Sequence, residues 1–175
     1  MLKLSDARNF FILTSLFFVC CYDANSSSIA SSIENQPQIA VNSGCNIKFD
    51  PTTRQFTLIS KITVNAQLSR ARCIIRINTS NIQKQFRLVP LAFKGEVKKA
   101  PAQVAISSFL LGTQPTSLVY PSSSNGISLK FDLTKQILPT NYTSQGNSVL
   151  GINLVLRSTG GELELTDVKF ALQQK

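Results

Sequence analysis

Apolar and polar residues alternate along most of the chain from Cys45 onward, with a period of two and no sustained helical spacing. Cys45, Ile47 and Phe49 alternate with Asn46 and Lys48, which predicts a strand with Cys45 on its buried face. Asp50-Pro51-Thr52-Thr53 predicts a turn, because proline fixes φ at the first central position and the aspartate carboxylate can accept from backbone N–H groups beyond it. From Gln55 to Val64, residues Phe56, Leu58, Ile62 and Val64 fall on one face and Thr57, Lys61 and Thr63 on the other, so this run should pair with the first strand as a hairpin. Arg72 to Asn78 turns Cys73, Ile75 and Ile77 inward and Arg72, Ile74 and Arg76 outward. Both cysteines therefore occupy core-facing positions on what should be neighbouring strands.

Phe86 and Leu88 continue the alternation until Pro90, which cannot donate to a ladder and so predicts an edge or a bulge, with the apolar phase resuming at Leu91 and Phe93. Lys98-Lys99-Ala100-Pro101 reads as a connection, Gln103–Leu111 and Thr116–Tyr120 as strands, and Pro121–Gly126 as a loop with an Asn125-Gly126 turn signal. Ile127, Leu129, Phe131 and Leu133 alternate cleanly with Ser128, Lys130 and Asp132, and Thr134–Ser148 is polar and irregular. Ser158–Gly161 reads as the loop of a closing hairpin with Arg157 opposite Glu162, Leu156 opposite Leu163 and Leu154 opposite Leu165. A phase jump after Leu165 predicts a bulge at Thr166-Asp167. The whole reads as an all-β antiparallel sandwich, or a partly open barrel, of roughly eight to nine strands with one disulfide.

The first residues have a different character. Lys3 and Arg8 precede the apolar run from Phe10 to Val19, and small residues follow, the pattern of a cleaved export signal over residues 1–26. That run is too short to span a bilayer as a helix. Lipid attachment at Cys20 or Cys21 is a minor alternative, since Val19 stands where a small residue should precede the modified cysteine. Residues 27–42 read as a flexible lead-in ending in a short edge strand at Gln38–Val41, with order beginning near Cys45 and a single domain over 43–175. The protein is expected in a secreted, periplasmic or extracellular compartment, where Cys45 and Cys73 would form a disulfide. Asn25, Asn78 and Asn141 each open an Asn-x-Ser/Thr triplet, which matters only where secreted chains are glycosylated.

Composition removes chemistry. The chain has no histidine, which takes away the commonest general base, the Ser-His and Cys-His nucleophile pairs and the usual zinc ligand. No catalytic residue, metal site or cofactor is expected, and the cluster Glu162, Glu164 and Asp167 does not make a defined cation loop. Charge adds something positive. Lys48, Arg54, Lys61, Arg70, Arg72, Arg76, Lys84, Arg87, Lys94, Lys98 and Lys99 face only Asp50 and Glu96 in the same stretch, so one part of the fold should be strongly electropositive. Lys61, Arg70, Arg72, Arg76, Lys84 and Arg87 are the candidate anion-binding residues, with Lys61, Arg72 and Arg76 sharing a solvent face if their strands are neighbours. The partners this suits are anionic polysaccharides or membrane headgroups; export and the lack of an aromatic-and-glycine motif disfavour nucleic acid. A second reading is a structural subunit that self-associates through an edge strand or through apolar positions such as Ile59 and Ile74.

Ser43-Gly44-Cys45, Phe56-Thr57-Leu58, Arg72-Cys73-Ile74-Ile75, Gln85-Phe86-Arg87-Leu88, Phe93-Lys94-Gly95-Glu96 and Phe109-Leu110-Leu111-Gly112 together resemble the small secreted proteins grouped as domain of unknown function 4360. The resemblance covers residues 43–112 and implies a secreted β-rich domain without an assigned activity. This chain lacks the later cysteines of many members, so a second disulfide does not carry over.

Overall fold

The computed structural model describes residues 36–42, 44–122 and 128–175. The proposed export signal, the possible lipidation sites Cys20 and Cys21, most of the lead-in and the Asn125-Gly126 turn lie outside the described residues. Strands β1 (Gln38–Val41), β5 (Arg70–Asn78), β7 (Ala102–Leu110), β8 (Thr116–Ser122) and β10 (Val149–Ser158) form one sheet in the order β1-β5-β10-β7-β8. Strands β2 (Ile47–Asp50), β3 (Gln55–Leu58), β6 (Phe86–Lys99), β9 (Leu129–Asp132) and β11 (Glu162–Gln174) form the other in the order β2-β3-β11-β6-β9, and β4 (Ile62–Val64) pairs with β11 beyond β3. Every pairing is antiparallel, and the two sheets pack face to face as an open sandwich rather than a closed barrel.

The alternation that predicts strands also decides which face is buried. β7 alternates without a break between buried and half-buried positions, and Val104, Ile106 and Leu110 from it meet Leu150, Ile152, Leu154 and Leu156 of β10. From the other sheet come Phe56, Leu88, Phe93, Leu163, Leu165 and Phe170, so the core is aliphatic with phenylalanine. Each such side chain contributes roughly 1.5–3 kcal/mol by leaving water.

Several sequence expectations hold in detail. β1 spans Gln38–Val41 at one edge of the first sheet, as the short edge strand expected there, and so the sheet begins ahead of Cys45, where order was expected to start. The Asp50 turn forms, with the carboxylate accepting from the Thr52 N–H at 2.9 Å and from the Thr53 hydroxyl at 2.8 Å. Thr166 is bulged out of the β11–β6 ladder. At Pro90 the register shifts again, and Leu91, expected inward, is the residue left over: it is exposed, while Ala92 and Phe93 are buried. Beside this half of β6 the irregular segment after β9 supplies what a strand would. The Thr140 and Thr143 hydroxyls accept from the Leu88 and Phe86 N–H groups, and their own N–H groups donate to the same two residues' carbonyls.

Three expectations change. Gln55–Val64 is not one strand but two, interrupted at Ile59-Ser60-Lys61, both running along β11. Cys45 and Cys73 are bridged, with Cα atoms 5.2 Å apart, but not across neighbouring strands. Cys45 sits on the crossover from β1 in one sheet to β2 in the other, and Cys73 points inward from β5, so the bridge ties the crossover to the first sheet. Most consequentially, β10 and β11 do not form a hairpin: they belong to different sheets. Gly160, at φ +104°, and Gly161 turn the chain across the sandwich, and a Cβ at Gly161 would lie 2.4 Å from both the Lys99 and Pro101 carbonyl oxygens. The β6–β7 connection at Ala100-Pro101 switches sheets at this same corner. The leucines of β10 and β11 still point inward, yet they meet across the core instead of within a ladder.

Candidate functional site

Separating β10 from β11 frees Arg157 from Glu162. In the five-stranded sheet Arg157 is the Cα partner of Arg70 on β5, and Val155 is the partner of Arg72. Both arginines of the first pair point outward, which sets two like charges directly opposite one another with Cβ atoms about 5 Å apart. Arg72 is the diagonal neighbour of Arg157, and Arg76 lies two repeats of the alternation further along β5, past Ile74 and opposite Gly151. The four guanidinium-bearing positions therefore share one outer face and span about 20 Å along the strands at 3.4 Å per residue.

No strand of this sheet contains an acidic residue. Asp50, Glu96, Asp132, Glu162, Glu164 and Asp167, the acidic residues among those described, all lie on the opposite sheet. There they are matched with lysines: Lys61 and Lys98 hold Glu164, Lys98 also reaches Glu162 at 3.2 Å, Lys94 meets Asp132 at 3.7 Å and Lys169 meets Asp167 at 3.5 Å. Glu164 is almost buried, and the hydrogen bonds from Lys61 and Lys98 hold its carboxyl below the ordinary carboxylate value. Lys98 is raised in turn, first by Glu164 and then by Glu162. By contrast the Arg70, Arg72 and Arg157 side chains have no hydrogen-bond or ion-pair partner among the described residues.

Arg76 is held differently. Its guanidinium donates to the Ile75 carbonyl at 2.9 Å and to Asn153 Oδ1 at 3.0 Å, and its Cζ lies 5.0 Å from the centre of the Phe109 ring. Ile74 and Val155, beside the arginines, and Ala105, further across the sheet on β7, are half-buried on the same face, with the exposed Val119 on β8 beyond them and Ser107, Asn153 and Gln103 interspersed. Chemically this is a long, flat, cationic surface with apolar and amide positions, able to take several anionic groups in a row.

The six residues singled out from charge do not stay together. Arg70, Arg72 and Arg76 lie on this face. Lys61 stands in the break between β3 and β4 beside the opposite sheet, ion-paired with Glu164, and so does not share a solvent face with Arg72 and Arg76 as expected from simple strand adjacency. Arg87 is also on the opposite sheet, donating to Gln173 Oε1 at 2.8 Å with its guanidinium 4.8 Å from the Tyr142 ring centre. Lys84 stands in the β5–β6 loop beside an end cleft of about 500 Å³ whose walls include Phe49, Arg54, Asn81 and Gln83. Arg157, Asn153 and Phe109 were not legible as site residues, because the pairing of Arg157 with Glu162 across a supposed hairpin accounted for its charge. Among the described residues no cluster of three potential metal ligands occurs.

No family model matches the chain, and no curated protein does. Among solved structures, TmCBM61 in complex with β-1,4-galactotriose has a TM-score of 0.38 at 7% identity, the match covering 79% of this chain and 88% of that one. The enzymatically active domain of bacteriophage CBA120 tailspike protein 4 has a TM-score of 0.34 at 14% identity, and the match covers 79% of this chain but only 18% of that longer one.

Proposed function

We propose that this chain is a secreted, non-enzymatic β-sandwich module that holds an anionic polymer or an array of anionic headgroups on the outer face of its five-stranded sheet. The observation that carries the reading is the Arg70–Arg157 pair with Arg72 beside it, on a sheet that contains no carboxylate. Like charges in directly opposed cross-strand positions destabilise a sheet, and a bound carboxylate, sulfate or phosphate turns that cost into a charge-assisted contact. A guanidinium suits the role because its planar fork takes two oxygens at once and stays charged at every physiological pH. Export, the condition under which such partners are met, rests on the pattern of the first 26 residues.

The test is co-sedimentation of the domain with an anionic polysaccharide and with vesicles containing phosphatidylglycerol, at low salt and at about 0.15 M, where the Debye length is about 8 Å. Binding that weakens with salt, and that is lost in Arg72→Gln/Arg157→Gln but retained in Lys61→Gln, supports the reading. Equal loss in both variants, or no binding at either salt, overturns it.

A second reading is supported by β8, a seven-residue strand at one edge of the same sheet, which carries no charged residue and has Val119 exposed. Uncharged edges of this length invite pairing with another strand. Concentration-dependent dimers broken by Val119→Lys would favour that assembly role.

A further inference from the structure

Resting on the anion-binding reading of this face, we infer that its ligand is an acidic polysaccharide, and that Phe109, Arg76 and Asn153 form the subsite that seats a sugar ring. Gly151 lies between Arg76 on β5 and Phe109 on β7, as the Cα partner of both. A Cβ at Gly151 would meet Phe109 Cζ at 2.4 Å and Cε2 at 2.8 Å, so the far edge of the ring occupies the space the glycine leaves. Phe109 thus reaches sideways across β10 instead of standing off the sheet, and the Arg76 guanidinium lies over part of the ring, with Cζ 5.0 Å from its centre.

The same device occurs once in the core, where Phe131 covers its Cα partner Gly95. There both residues are buried, and covering a strand glycine explains the arrangement completely. On the outer face the ring is only half-buried, and two planar polar groups are fixed beside it: the Arg76 guanidinium and the Asn153 amide, locked together by a hydrogen bond of 3.0 Å. Arg76 uses two of its five N–H donors on Ile75 and Asn153, which orients the fork while leaving donors for a ligand. An aromatic surface beside oriented amide and guanidinium donors matches a pyranose, whose C–H face is apolar and whose rim carries hydroxyl and acid oxygens.

Arg72, Arg70 and Arg157 follow along the same strands, so a polymer seated at Phe109 runs its acid groups onto them. Phosphatidylglycerol headgroups and inorganic polyphosphate offer the charge without a ring to stack. Of the apolar residues on the face, Ile74, Val155 and Ala105 are half-buried within the sheet, which leaves Val119 as the one large apolar side chain exposed there among the described residues, too little to enter a bilayer.

The experiment compares the wild-type domain, Phe109→Leu and Arg72→Gln/Arg157→Gln in titrations against polygalacturonate, inorganic polyphosphate and phosphatidylglycerol vesicles. Leucine keeps an apolar side chain at this position but lacks the Cε and Cζ atoms that lie over Gly151, and offers no ring. The expected result is that Phe109→Leu weakens polygalacturonate binding by about tenfold, the scale of one aromatic contact, and leaves polyphosphate binding within about twofold. Retained polyphosphate binding also reports that this variant is folded. The double arginine variant should lose affinity for both polymers. If wild type prefers polyphosphate or vesicles, or if Phe109→Leu changes both polymers equally or neither, the sugar subsite is refuted while anion binding stands. If no polyanion binds at all, the underlying reading of the face is refuted with it.

Discussion

Reducing the Cys45–Cys73 bridge should lower the stability of the domain by about 3.5 kcal/mol. The bridge closes a loop with a sequence separation of 28 residues. In the chain-entropy description that closure removes about 12 cal/mol/K from the unfolded ensemble, or about 3.6 kcal/mol at 25 °C. Comparing oxidised with reduced protein keeps every side chain in place, so no cavity contribution enters, as it would on replacing Cys73, which is 1% exposed. Denaturant unfolding with and without a thiol reductant measures the difference. The oxidised form should also show the smaller dependence on denaturant, because its unfolded chain is less expanded. For a domain of this size the midpoint of thermal unfolding should fall by roughly 10 °C. A loss below about 1 kcal/mol with unchanged denaturant dependence would refute the account, since it would mean that the bridge does not restrict the unfolded chain.

Gly161→Ala should cost at least about 3 kcal/mol, because the new methyl meets two backbone carbonyls that cannot rotate away, whereas Gly160→Ala, with open space around it, should cost about 1 kcal/mol for its positive φ alone; thermal unfolding separates them. Glu164, Asp50 and Asp132 are all held below their ordinary carboxyl values, the first mainly by Lys61 and Lys98, the others mainly by Thr53 and Thr134. Their contribution is therefore present above the unfolded-state values of 4.5 for Glu and 3.8 for Asp, and is lost as pH falls through the lower folded values. Glu164→Gln should flatten part of that acid limb and cost about 1–2 kcal/mol at pH 7, the full value for a buried pair being reduced by the exposure of both lysines. Arg70→Gln should leave the fold intact or stabilise it by about 0.5 kcal/mol at low salt, with the gain vanishing at high salt, while weakening polyanion binding; a large destabilisation would show that the arginine is structural.

For most positions the inward residues follow from the chain's own alternation, because in a strand side-chain direction depends only on a local period of two, and a sandwich needs one apolar face on every strand. Cys73 and the bulge at Thr166 were legible on that basis, and the Asp50 turn from its proline and carboxylate, whereas Leu91 and Leu129, of the same inward phase, are exposed. Which strands are neighbours is a different matter. Leu154, Leu156, Leu163 and Leu165 have the same inward phase whether β10 and β11 share a ladder or face each other across the core, and local patterning is blind to the difference. Tertiary packing decided it at Gly160-Gly161, where the close carbonyls of Lys99 and Pro101 leave room for a crossing chain without a Cβ. That decision moved Arg157 from a salt bridge with Glu162 to a position opposite Arg70, separated Lys61 and Arg87 from the other candidates, and brought Phe109 to Arg76. Charge count along a chain shows that an excess exists; only the assignment of strands to sheets shows on which face it is left without carboxylates.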